Sequence, residues 1–254
     1  MSWFERLSVS WVLRKHALPD HDWFEVTRKL PLLSGLNSSE KARLRLLTTL
    51  FIHQKVFSGA QGLELTLEMK IIIAAQACLE ILAFNIAAFD GWSEIIVYPS
   101  TFRVERETEN EFGIISTESR ILSGEAWTKG PLVFAWDEVE RDSFQIREGH
   151  HVVLHEFAHK LDMLNGRANG MPPLHPEMPV SEWTRSLSEG YERLLERVEH
   201  CHGGINPYAA TNPAEYFAVM CEYFFTAPAL LFERYPDVYR QLKAYFQQDP
   251  LARN

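Results

Sequence analysis

Val152-Val153-Leu154-His155-Glu156-Phe157-Ala158-His159-Lys160-Leu161-Asp162 is the stretch on which the reading of this chain turns. It spells His-Glu-x-x-His inside an apolar run that closes at Asn165-Gly166. On a helix, residues four apart project from one face, one turn above the other. His155 and His159 thus offer two imidazole nitrogens to a single metal ion. Glu156 brings a carboxylate able to take a proton from a water that the metal activates, the pattern of a zinc hydrolase helix. The alternative is a chance match on an ordinary soluble helix. The flanks weigh against it: Val152, Val153, Leu154, Phe157, Ala158 and Leu161 predict a buried helix, where unpaired polar side chains are costly.

A catalytic zinc usually has three protein ligands and one open position. The metzincin continuation would need Gly at 162 and His at 165, where this chain has Asp162 and Asn165, so that class is excluded. His151 extends the face to 151, 155 and 159. At about 1.5 Å per residue, however, His151 and His159 stand about 12 Å apart along the axis, too far to share one ion. His151 is read as an outer partner of the site or a solvent-facing residue. The third ligand has to come from later in the chain. Glu215 and Glu222 lie on one helical face at i and i+7, with the small Ala218 between them to allow close approach. Each has a plainer reading. Glu215 sits where it would reciprocate an Asn212 cap, and Glu222 would be solvated or ion-paired. Asp162, three residues after His159, either orients an imidazole or anchors the loop after Gly166.

Working outward, 254 residues can bury a substantial core, and 46% hydrophobic with 23% charged residues is ordinary for a globular protein. A net charge of −9 argues against a nucleic-acid-binding surface. Cys78, Cys201 and Cys221 are odd in number and unpaired in spacing, so no disulfide framework is implied and a cytoplasmic location is expected. Cys201 between His200 and His202 reads as a polar helix end running into Gly203-Gly204 rather than a small metal site. The stretch Met1 to Lys15 lacks an apolar core and a cleavage site, so it reads as a docked amphipathic helix rather than a signal peptide. Ile71 to Phe89 is apolar enough to suggest a membrane span, but Gln76, Glu80 and Asn85 interrupt it, and a buried core helix is the better reading.

Helices are expected from Pro19 to Leu30 and from an Asn37 cap, with Glu40 three residues on, to about Phe57; a third spans Leu67 to Phe84. Strands follow at Glu94 to Tyr98, Phe102 to Arg106, Gly113 to Thr117, Ile121 to Trp127 and Pro131 to Trp136, making a small, mostly antiparallel or mixed sheet. Beyond the motif helix, Ser181 caps a helix over about Glu182 to His202. Asn212-Pro213 opens one to about Thr226, and Pro236-Asp237 one to about Gln248. The sum is one α+β domain over residues 1–254, with a helical portion (1–92) leaning on a sheet-and-helix core (93–254) that carries the metal site.

Several segments together resemble the Mlc titration factor A family of bacterial zinc metallopeptidases. They are His155-Glu156-Phe157-Ala158-His159-Lys160-Leu161-Asp162, Tyr208-Ala209-Ala210-Thr211-Asn212-Pro213-Ala214-Glu215 and Glu222-Tyr223-Phe224-Phe225. Leu30-Pro31-Leu32-Leu33, Gln61-Gly62-Leu63-Glu64-Leu65, Ile96-Val97-Tyr98-Pro99 and Gly130-Pro131 extend the likeness over most of the chain. The resemblance implies a zincin-like catalytic fold, related to that of the anthrax lethal factor protease. It also implies one Zn²⁺ held by His155, His159 and Glu215, with Glu156 as general base and Tyr208 facing the metal. Asn212 stands where the family usually has Asp, an exchange that keeps a good helix cap. Aminopeptidase-type activity, and binding of the glucose-responsive repressor Mlc, are further implications. A regulatory binding protein whose zinc site is secondary is therefore the rival expectation to an enzyme.

Overall fold

The computed structural model describes residues 11–100, 102–109, 115–122, 124–126, 130–200 and 204–253. The Met1 end of the expected N-terminal helix, the Gly113 start of an expected strand, and Cys201 with His202 lie outside the described residues. Residues 11–15 are helical and bury Val12.

α1 (Asp20–Thr27) carries two acids in its first turn, where the helix dipole favours them, and buries Trp23 and Val26. It stops short of Leu30, because Pro31 opens a 3-10 turn and disfavours helical backbone just before itself. α2 (Ser38–Gln54) begins with the expected capping box. The Glu40 amide donates to the Asn37 side chain at 2.9 Å, and the Asn37 amide to the Glu40 carboxylate at 2.8 Å. Its end corrects the sequence reading: Lys55 turns extended, and Val56–Gly59 form β1 rather than a last helical turn. α3 (Leu67–Glu80), capped by Thr66, is buried almost from end to end. Among the described residues no helix is long and apolar enough to cross a membrane.

β2 (Glu94–Tyr98) has the predicted bounds and buries Ile95 and Val97 on one face. β3 (Phe102–Glu109) and β4 (Ile115–Leu122) pair antiparallel as a separate two-stranded sheet. The predicted strands Gly113 to Thr117 and Ile121 to Trp127 are therefore redrawn. β4 continues through Ile121, where Phe102 to Glu109 offers a partner for every residue, and β5 (Gly124–Ala126) is short. β6 (Leu132–Ala135) completes a four-stranded sheet of order β1-β2-β6-β5. β1, β2 and β6 run parallel, and β5 is an antiparallel edge. The sheet is mixed, with more parallel pairing than expected.

α4 (Trp136–Phe144) follows β6 directly and was not anticipated, since Ala135 provides no capping side chain to announce it. α5 (Val152–Asp162) is the motif helix. α6 (Val180–Glu199) starts one residue before the expected Ser181 cap, with Pro179 in the cap position. α7 (Pro213–Thr226) has its predicted start and end. α8 (Pro228–Arg234) is a further helix that the sequence reading did not contain, and α9 (Pro236–Phe246) ends two residues early. The result is a mostly helical α+β fold around a small sheet.

The inner face of α5 enters an aromatic cluster. Phe157 is fully buried, with ring centroids 5.0 Å from Phe89, 5.6 Å from Phe51, 5.9 Å from Trp92 and 6.3 Å from Phe134. Each such aromatic side chain buries roughly 150–250 Å². This packing pins the helix to the N-terminal helices and the sheet together, and leaves its opposite side to face α7.

Candidate metal centre

The spacing of His155 and His159 turns both imidazoles toward α7. Their Nε2 atoms lie 3.2 Å apart. Oε2 of Glu215 is 3.0 Å from the first and 3.3 Å from the second. Metal–ligand bonds of about 2.0–2.2 Å in tetrahedral array put neighbouring ligand atoms about 3.3–3.5 Å apart. Three facing donors at 3.0–3.3 Å therefore match the ligand set of one small divalent ion. The donor chemistry, two imidazoles and a carboxylate, fits zinc.

Local structure accounts for the placement of Glu215. The Asn212 side chain accepts the Ala214 and Glu215 amides at 2.9 and 3.0 Å, and Pro213 occupies the first helical position. The Glu215 side chain does not return to close a capping box. It reaches the histidines instead. Burial works against its charge, but hydrogen bonds from His155 and His159 prevail and hold its carboxyl well below the usual range.

Glu222, two turns further on, sits behind the first imidazole. Its Oε1 lies 2.7 Å from His155 Nδ1. A carboxylate only accepts, so Nδ1 carries a proton; an ion would take the Nε2 lone pair in place of the proton that Nε2 shares with Glu215. Burial would lower the pKa of His155, but Glu215 and Glu222 outweigh it and raise it well above the ordinary value. The second Glu222 oxygen accepts the backbone amide of His151.

His151 corrects its sequence reading in one respect: it is fully buried rather than solvent-facing. Nδ1 accepts the Leu154 amide, capping α5, and Nε2 bonds the Gln76 carboxamide at 2.8 Å. Burial lowers its pKa to about 3. By sequence, Gln76 is only a polar interruption in an apolar helix. It also donates to Ser143 Oγ at 2.8 Å and so ties α3 and α4 to the start of α5. A glutamine within the apolar run Ile71 to Leu79 was the available signal for a buried polar link.

Asp162 takes the loop-anchoring role among the two considered. Its oxygens accept the amides of Asn169, Gly170 and Met171 at 2.7–2.8 Å. That loop bears on α7: at Gly170, φ is +77° and a Cβ would come 2.7 Å from the Pro213 carbonyl oxygen. Asp162 thereby fixes the strip of chain against which the first turn of α7 rests.

Glu156 is buried, and one of its oxygens lacks a hydrogen-bond partner. Burial raises its pKa, opposed by charge on His155 and His159. Tyr208 lies on a 3-10 turn, Pro207–Ala210, with its ring centroid 6.0 Å from that of His155 and about half its surface open to solvent.

A His-Glu-x-x-His helix facing a glutamate helix, beside a small mixed sheet, defines a metallopeptidase-type centre. The family model for the glucose-regulated metallo-peptidase M90 matches residues 3–247, and the chain belongs to that family. Relatives include proteins named Mlc titration factor A. That of Serratia proteamaculans is 40% identical over 228 residues, covering 88% of this chain and 86% of that one. That of Pectobacterium atrosepticum is 40% identical over 228 residues, 88% and 85% of the two chains. That of Escherichia fergusonii is 36% identical over 252 residues, 96% and 94%.

Proposed function

We propose that this chain is a zinc-dependent peptidase with a zincin-like catalytic core, in which His155, His159 and Glu215 hold one Zn²⁺. The observation that carries the reading is the triangle of donors at 3.0–3.3 Å. Bound zinc supplies a Lewis acid that makes a water nucleophilic near neutral pH and polarises a carbonyl. Glu156 takes the water's proton and returns it to the leaving amine, a task suited by a carboxyl whose pKa burial has raised. The Tyr208 hydroxyl donates to the oxyanion that develops on the scissile carbonyl. β5, at the sheet edge and packed beside α5, aligns an extended peptide by strand addition. The activity is of aminopeptidase type, and residues 1–254 act as one domain, a view supported by a core cluster running from Leu18 to Phe246. Free, buried Cys78 and Cys221 suit a reducing cytoplasm.

The name Mlc titration factor A, carried by the relatives, favours a second role, binding an Mlc-type transcriptional repressor. In that reading the chain is a regulatory binding protein and the zinc site is secondary. Glu156→Gln separates the two, because it removes the base and no metal ligand. Peptide hydrolysis is expected to fall at least about 10²-fold, the usual worth of general acid–base catalysis, while zinc content and repressor binding persist. Cleavage at the wild-type rate would end the proposed mechanism.

A further inference from the structure

A second group of ligand-type side chains lies at the corner between α4 and α5. Glu138 and Asp142 stand one turn apart on α4, and His150 follows on the loop that leads into α5. One donor atom from each falls within 4.8 Å of the others. His150 Nε2 lies 3.6 Å from Glu138 Oε1 and 3.5 Å from Asp142 Oδ2, beyond good hydrogen bonds yet near the spacing of two ligands on one ion. Four buried atoms here, Glu138 Oε2, Asp142 Oδ1, His150 Nε2 and Arg147 Nε, have no hydrogen-bond partner. The Asp142 side chain is wholly buried: its Oδ2 faces His150, and its orphaned Oδ1 faces Arg141 and Arg147 rather than water. Arg147 and Arg141 approach that oxygen at 3.4 and 3.6 Å, longer than the 2.7–2.9 Å of a charge-assisted bond, and Arg141 also reaches Glu138 Oε1 at 3.4 Å. The Arg141 and Arg147 side chains are 45% and 37% exposed, while Arg147 Nε is buried and makes no hydrogen bond.

We propose that Glu138, Asp142 and His150 form a second divalent-cation site, separate from the donor triangle and suited to an ion of the zinc or manganese class. One imidazole and two carboxylates are a mixed nitrogen and oxygen set of that kind. The ion has a structural task. Asp142 Oδ2 also accepts the amide of Val152, the first residue of α5, at 3.1 Å, so a cation here braces the point where the motif helix begins. It also adds to the neutralisation of two buried carboxylates that Arg141 and Arg147 approach at 3.4–3.6 Å without close hydrogen bonds.

The test is metal stoichiometry on tag-free full-length protein, stripped with chelator and dialysed against Zn²⁺, then against Mn²⁺. Wild type is expected to bind two equivalents. His150→Ala and the near-isosteric Glu138→Gln are each expected to bind one, and His159→Ala likewise one. Circular dichroism checks that each variant is folded, and Glu138→Gln decides if His150→Ala is not. A single wild-type equivalent lost only in His159→Ala would overturn the proposal, as would two equivalents retained in Glu138→Gln. A single equivalent lost in His150→Ala and kept in His159→Ala would support this site and sink the first.

Discussion

His151 shows how a single side chain can be read correctly in position and wrongly in environment. Helical spacing excluded it as a ligand, but a histidine beside a motif gave no sign that Gln76, 75 positions away, would bury it. Its folded pKa of about 3 lies below the ordinary 6.5, so the unfolded chain binds the extra proton between those values. His151 therefore contributes stability that is complete above about pH 6.5 and is lost as pH falls toward 3. His155 has the opposite trend in metal-free protein, so the informative quantity is a difference. Urea unfolding of chelator-stripped wild type and His151→Asn, at several values between pH 4 and 7.5, should show the wild-type advantage shrinking on acidification. Asparagine can still accept the Leu154 amide, which leaves the cap in place. A pH-independent difference would mean that the imidazole is not buried neutral. Glu156 and the two motif histidines, by contrast, are singled out by a five-residue spacing alone, without tertiary information.

Helices announced by a capping side chain were legible from sequence, as were α1, α6 and α9 without one, but two others were not. Asn37 and Asn212 mark starts that the structure reproduces, whereas α4 and α8 begin at Ala135 and Ala227, which bear no capping group. β1 was hidden because four residues after a helix carry too little period, and their strand character depends on pairing with β2, 38 positions later. The contact between α5 and α7 rests on a feature that no periodicity encodes. Gly149, with φ of +62°, lies under Tyr223 of α7, and a Cβ there would fall 2.0 Å from ring carbons. Its amide also donates to Thr226 Oγ1 at 2.9 Å. Gly149→Ala is expected to cost about 2 kcal/mol or more through overpacking and backbone strain. Since α7 carries Glu215, the same variant should bind zinc more weakly. Thermal melts and zinc titration check both; an unchanged melting temperature would show that α7 does not clamp the entry to α5.

At the scale of the whole molecule, the donor triangle joins two distant parts of one chain, so an ion there stabilises the fold through mass action. Zinc at about 100 times its dissociation constant adds about 2.7 kcal/mol, which for a chain of this size raises the melting temperature by roughly 5–10 °C. Calorimetry of stripped and reloaded protein measures it, and a melting temperature indifferent to zinc would contradict the centre proposed here. The three proposed ligands also carry a message about time. His155 and Glu215 are 60 residues apart, and Glu222, which sets the His155 tautomer, comes 67 residues after it. Contacts across such separations form late, after the entropy of closing a long loop has been overcome. On the ribosome, the helix of His155 and His159 emerges well before its third ligand has been synthesised. A nascent chain therefore passes through an interval in which it can hold an ion by only two imidazoles. In the proposed centre, full metal capture would require the C-terminal helices to have arrived and docked.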